Sequence, residues 1–393
     1  MRNTVKRVVM GCTLILASNV ITPLYADTQV LAGSDMHHGH TSALAHAPIG
    51  VMGDHLHKKG GWMLSYRLMN MHMDGMRSGT NNISAAEVAT IANSLAGEPM
   101  RMGNLPNGDP RMMNVPGKYR ISPVDMDMKM HMFGLMYGIS DKVTLMGMLN
   151  YVEKDMTLLS FRGPTGTKEI GTFKGSTSGI GDTTISALVK FKENDTHKVH
   201  FNIGLSLPTG SIKEKGSVLP PFSGMMGTTP GELVDIDRLA YTMQLGSGSY
   251  DFLPGITYNG NKNSLGWGAQ LKGNFRLEDN SEGYRLGNIV EGSTWIAKQW
   301  KPSISTSLRL SAKSEGGISG RDPIITGGSP LFNVENSGRD EVALHLGINL
   351  MGQQGALKGH RLAIEIGAPI HEDVDGIQMS NGWTATLAWQ KGF

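Results

Sequence analysis

The stretch "MNMHMDGM" places four methionines, one histidine and one aspartate between Met69 and Met76, and "MDMKMHM" repeats the alternation from Met126 to Met132. Thioethers are soft ligands suited to Cu(I) or Ag(I), and Met/His alternation with nearby Asp would make shallow, exchangeable sites. The same residues also form a polarizable apolar surface for hydrophobic solutes, and this reading stays open beside the first. A second concentration of ligand types lies upstream. "DMHHGH" supplies His37, His38 and His40, and His46, His55 and His57 follow, imidazoles suited to Cu(II), Ni(II) or Zn(II). No cofactor motif accompanies them; beyond bound metal ions, copper or silver foremost, no cofactor is expected.

What must position these residues is read from periodicity. In "HKVHFNIGLSLPTG", Val199, Phe201, Ile203, Leu205 and Leu207 alternate with His200, Asn202, Gly204 and Ser206. In "EVALHLGINLM", Val342, Leu344, Leu346, Ile348 and Leu350 alternate with Ala343, His345, Gly347 and Asn349. "HRLAIEIGAPI" repeats the pattern from His360 to Ile370. Period two with one aliphatic face and one polar or small face describes strands, not helices. One segment reads as a helix. "SAAEVATIANSLAG" offers Ser84 as N-cap, Glu87 as its capping-box partner and Gly97 as a stop.

The amino terminus carries Arg2, Lys6 and Arg7, then the apolar run Val8–Val20 and the small-residue end "LYA", the pattern of a secretory signal peptide over residues 1–26. Cys12, the only cysteine, would leave with it, so no disulfide is expected. Removing the three basic residues from 36 leaves 33 against 34 acidic ones. That balance offers no field for nucleic acid. Residues 27–58 then form a His-rich amino-terminal segment and 59–393 the folded domain.

Short turns near Ser140, Asn194, Gly260, Pro302 and Gly355 alternate with long Gly/Pro-rich segments at 76–121, 208–247 and 314–339. Short turns at one end and long loops at the other, with tilted strands between, are the plan of an outer-membrane barrel, here of about twelve strands. The last segment, "GWTATLAWQKGF", sets Trp383, Ala385, Leu387, Trp389 and Phe393 on one face and ends on the aromatic. It resembles the terminal strand recognised by the outer-membrane assembly machinery. The fold expected is therefore all-β, a transmembrane antiparallel barrel in the bacterial outer membrane, in contact with its lipid.

Parity then assigns faces. Trp62, Leu64, Tyr66 and Leu68 suit lipid, which turns Met63, Arg67, Met69, Met71 and Met73 toward the lumen. Phe133, Leu135 and Tyr137 do the same for Met126, Met128, Met130, Met132 and Met136. Leu145 and Leu149 do so for Met146 and Met148. Three neighbouring strands would present thioethers to one wall. His72 and His131 fall on the lipid side and would join a metal site only beyond the membrane rim. Lys272, Arg276, Arg309, Lys313, Arg361 and Glu365 point inward, as a polar conduit, a latch for the long loops, or structural ion pairs across the lumen.

The blocks "HAPIGVMGDHLHKKGGWMLSYRLMNMHMDGMRSGT", "MDMKMHMFGLMYGISDKVTLMGMLNYVEKDM", "GIGDTTISALVKF", "IGLSLPTGSI" and "LPGITY" resemble outer-membrane proteins grouped under the MetA pathway of phenol degradation, over nearly all of the chain from His46 onward. The resemblance implies a barrel and uptake of hydrophobic aromatics. With no G-x-S-x-G, H-E-x-x-H or P-loop lysine, catalysis is not expected. The expected function is passage of small solutes through the lumen. The alternative is a surface or periplasm-facing protein that binds soft metal, with the barrel as anchor.

Overall fold

The computed structural model describes residues 42–105, 107–225 and 228–393. The signal-peptide region, Cys12 and His37, His38 and His40 lie outside these residues. No described helix is long and apolar enough to cross a membrane; the crossing elements are strands.

Eleven strands close into one antiparallel ring: β1 (Trp62–Gly79), β2 (Ile121–Ser140), β3 (Val143–Phe161), β4 (Thr183–Glu193), β5 (His197–Leu207), β6 (Asp251–Lys262), β7 (Leu265–Arg276), β8 (Ile289–Lys301), β9 (Ile304–Glu315), β10 (Arg339–Met351) and β11 (His360–Gly392). Each pairs with the next, and β11 pairs with β1. Glu169–Ile180 continues the line of β4 along the upper part of β3, and Asn81–Ile83 folds back on β1. A ring whose neighbours are all antiparallel needs an even number of passes. β11 supplies the twelfth: residues 361–374 pair with β10, residues 374–392 pair with β1, and the chain reverses at Gly376, whose φ of 66° suits a residue without Cβ. The two halves lie side by side, as Arg361 donating to Gln390 and Thr384 donating to the Gly367 carbonyl show.

The faces follow the alternation. Leu346 is 65 % exposed and Ile366, its partner across β10 and β11, 58 %, whereas the intervening Ala343, His345 and Asn349 are buried. Exposed apolar side chains on every strand form the lipid band, since the cost of exposing them disappears when the surroundings are hydrocarbon. Trp62 stacks against Tyr137 with centroids 4.3 Å apart, Trp267 donates to the hydroxyl of Tyr258, and Trp300, Trp389 and Phe393 are near the short turns. This is an interfacial girdle.

The seam between first and last strands is held at its rim by two backbone bonds, Trp62 N–H to Phe393 (3.2 Å) and Phe393 N–H to Trp62 (2.8 Å). Deleting Phe393 removes both together with an exposed aromatic. The expected result is slower conversion to the heat-modifiable form on gels while the assembled fraction stays folded; wild-type assembly kinetics would show that the seam does not depend on this residue.

The predicted helix is shorter than its pattern. Ser84 and Glu87 do form the capping box, but the helix spans only Ala85–Val88 and does not reach Gly97. Val88, Thr90 and Ile91 are β-branched and lose rotamer freedom in a helix. Beyond them, Tyr119 donates to the Ile91 carbonyl and Asn93 to that of Gly117, so this stretch pairs with 115–119 instead.

Candidate functional site: the methionine wall and the lumen segment

Register turns the inward methionines into a continuous surface. Met63 faces Met136, and Met136 faces Met146. Met69 faces Met130, Met71 faces Met128, Met73 faces Met126 and Met126 faces Met156. Arg67 sits opposite Met132, and Met148 opposite Gly134. A bulge between Met73 and Met76, where Gly75 has φ 69°, reverses the parity of β1 and turns Met76 inward as well.

The wall has three tiers. At the loop end, Met76, Met126, Met156 and Met379 join Val88, Leu95, Met100, Met102, Val115, Tyr119 and Met243 in one apolar core. The segment 76–121 therefore folds into the barrel mouth, with other long loops, as a packed closure. Charged groups tie it. Arg120, fully buried, donates to the carbonyls of Gly163, Ala89 and Gly166, and Arg238 pairs with Asp322 at 2.8 Å. Lys154 reaches from the wall to the carbonyls of Thr242 and Gln244. In the middle tier Met69, Met71, Met128 and Met130 are only half-buried. At the short-turn end Met63, Met132, Met136, Met146 and Met148 line a narrow cleft with Ser65, Arg67, Gly134, Gly53 and Asp54, its volume of about 10 Å³ enough for a single water.

Gly53 and Asp54 belong to a feature that alternation did not reveal. Residues 43–57 run through the lumen at its short-turn end, and the wall holds them largely by their carbonyls. Ser305 donates to Ala43 (3.0 Å), Arg361 to Ala47 (2.6 Å), Arg67 to Ile49 (2.9 Å), Gln270 to Met52 (2.9 Å), His200 Nε2 to Gly53 (2.8 Å) and Asn259 to Asp54 (2.7 Å). His57 N–H donates to Thr144 Oγ1 at 2.8 Å. Small residues let the segment pass close to the wall: a Cβ at Gly50 would meet Arg309 and Glu365 at 2.3 Å. Nothing in the sequence marks this segment, because inward Asn, Gln, Thr and Ser suit a polar barrel interior whether or not a segment fills it.

The segment is folded on itself. Ala47 N–H and the two imidazoles of His46 and His55 converge on the Asp54 carboxylate, at 3.0 Å, 3.5 Å and 2.8 Å. Burial, with His55 and Arg361 adding positive charge, pushes His46 down to about 3, so it is a neutral imidazole at ordinary pH. Burial opposes the charge on Asp54, but the two histidines hold it well below the usual carboxylate range.

The inward charges divide into two groups. Arg309 makes a two-point pair with Glu365 (2.6 and 3.3 Å), Lys272 pairs with Glu291 at 3.1 Å, and Arg276 pairs with Asp251. These are cross-strand pairs that neutralise the wall. Arg361 and Arg67 instead grip the amino-terminal segment. The latch exists, but it holds this segment and not the long loops. His72 and His131 are outside the lumen: His72 donates to Asp127 and stacks on Trp383, and His131 bonds to the Tyr66 hydroxyl, both at 2.8 Å. The structure does not bring them to the His46–Asp54–His55 cluster.

An outer-membrane channel from Pseudomonas putida F1 superposes on 87 % of this chain and 99 % of its own, with a TM-score of 0.52 and 11 % identity. The fold is that of an outer-membrane β-barrel. A FadL homologue from Pseudomonas aeruginosa (10 % identity, 84 % of this chain and 89 % of its own, TM-score 0.36) and the toluene transporter TodX from Pseudomonas putida (9 %, 85 % and 90 %, TM-score 0.37) align more loosely. No family model matches the sequence, and neither does any curated protein. The barrel places its lipid band, girdle and loops as bacterial outer-membrane proteins do.

Proposed function

We propose that this barrel is a passive outer-membrane channel for small hydrophobic solutes, aromatic compounds among them, and that the state described here is closed at both ends. The observation that carries the reading is the inner wall itself: methionines from three adjacent strands run from the loop core, through a half-buried middle tier, to the cleft beneath the lumen segment. Unbranched thioethers adapt to irregular apolar shapes without fixing one of them, as a path for varied small solutes requires. The sequence resemblance to the phenol-degradation group supports aromatics as the solute class. No catalytic step enters this reading.

The test uses proteoliposomes and a small fluorescent aromatic. The full chain is expected to speed its entry over protein-free vesicles. Replacing Met69, Met71, Met73, Met128, Met130 and Met132 by leucine preserves volume and apolarity, so entry should hardly change and the barrel should stay intact. Glutamine at the same six positions should slow entry, because the solute would then leave water for a polar wall. Equal rates in the leucine and glutamine chains would detach transport from the wall, and a rate no better than empty vesicles would end the channel reading.

A further inference from the structure

We propose that His46, Asp54 and His55 form a binding site for a late first-row divalent ion, Zn(II) or Cu(II), inside the barrel, where the ion pins the lumen segment in its folded-back course. The inference is independent of what the channel passes. One donor atom from each residue lies within 4.8 Å of the other two. Tetrahedral coordination with metal–ligand distances of about 2.0–2.2 Å places donors about 3.4 Å apart. His46 Nδ1 is already 3.5 Å from Asp54 Oδ2, and His55 Nδ1, at 2.8 Å from Oδ1, has only to separate slightly. The ring centroids of His46 and His55 are 4.5 Å apart, and those of His55 and His57 4.9 Å, so a further imidazole borders the site.

The donor set selects the ion. Two imidazoles and one carboxylate suit Zn(II) or Cu(II), whereas Ca(II) and Mg(II) require six or more oxygens or several waters. Charge attraction alone does not fill the site, because Arg361 and Arg67 grip the same segment at Ala47 and Ile49. An ion held there must bond strongly to nitrogen. The methionine-lined cleft borders the site, since Asp54 is part of its wall. Because His46 and Asp54 are eight positions apart along the segment, one ion would close that loop and reinforce the Ala47–Asp54 hydrogen bond and the His46–Asp54 contact that now close it.

The experiment uses the full chain, purified in detergent, stripped with EDTA and titrated with Zn(II), then Cu(II), against a chromophoric chelator. One ion per chain is expected, and it should persist when His37, His38 and His40 are all changed to alanine. His46→Gln with His55→Gln should weaken it by about a hundredfold or more, past the loss that outer-shell partners typically give. Heat-modifiable gel mobility checks that each variant is folded. X-ray absorption of the Zn(II)-loaded wild type needs no variant: a shell containing two imidazole nitrogens and an oxygen supports the site. No stoichiometric binding, a sulfur-only shell, or loss on changing the three upstream histidines with retention in the His46/His55 variant would each overturn it.

Discussion

A chain carrying Arg67→Ala and Arg361→Ala is expected to expose the cleft under the lumen segment to water-soluble reagents, with the barrel intact. Both guanidiniums are buried and donate to carbonyls of that segment, Arg67 to Ile49 and Arg361 to Ala47. Hydrogen bonds from a charged group contribute about 1.5–3 kcal/mol each, so losing two removes roughly 3–6 kcal/mol of retention. At about 1.4 kcal/mol per factor of ten, the released fraction rises by roughly two to four orders of magnitude. The measurement is the labelling rate of Met148→Cys, a buried position on the wall opposite the segment, by a charged thiol reagent. Deleting residues 42–57 sets the fully open rate. The double variant should approach it, while the parent cysteine chain labels slowly. Slow labelling in a folded double variant would mean that the remaining bonds, from Gln270, His200, Asn259 and Ser305, hold the segment without the arginines.

The second large effect separates the two faces. Leu346→Arg and Leu205→Arg should each destabilise the folded barrel in bilayers by roughly 2–4 kcal/mol, the cost of a cation against lipid near the midplane. Leu346 is flanked by Leu308 and Ile366, and Leu205 by Ile185 and Phe252, all exposed to the outside. The inward control must be chosen with the lumen filled. On alternation alone His200 and Gly347 are natural lumen-side positions, but His200 holds Gly53 and a Cβ at Gly347 would stand 2.6 Å from Ser307 Oγ. Met130, inward and half-buried, is the better control, and Met130→Arg is expected to cost much less folding stability than an outward cation. Denaturant unfolding in bilayers reads the difference. Equal destabilisation by Leu346→Arg and Met130→Arg would reverse the facing.

Sequence by itself determined the barrel and its facing, because a strand between lipid and lumen has no choice but to alternate. Leu205, Leu346 and Ile366 point out, and Met69, Met128 and Met148 point in, as period two dictates. Where backbone geometry departs from that period, parity stops: the Gly75 bulge turned Met76 inward, and the β-branched Val88, Thr90 and Ile91 ended the capped helix after Val88. Tertiary structure alone decided what fills the lumen. "HAPIGVMGDH" has no periodicity, and nothing local tells a histidine-rich leader from a segment that enters the barrel. Its course is fixed by donors far away in the chain, Arg67, Gln270, Ser305 and Arg361, each satisfying a carbonyl that would otherwise be buried unpaired. The same holds for Asp54, which reads as one loop acid among many until folding brings His46 and His55 to its two oxygens.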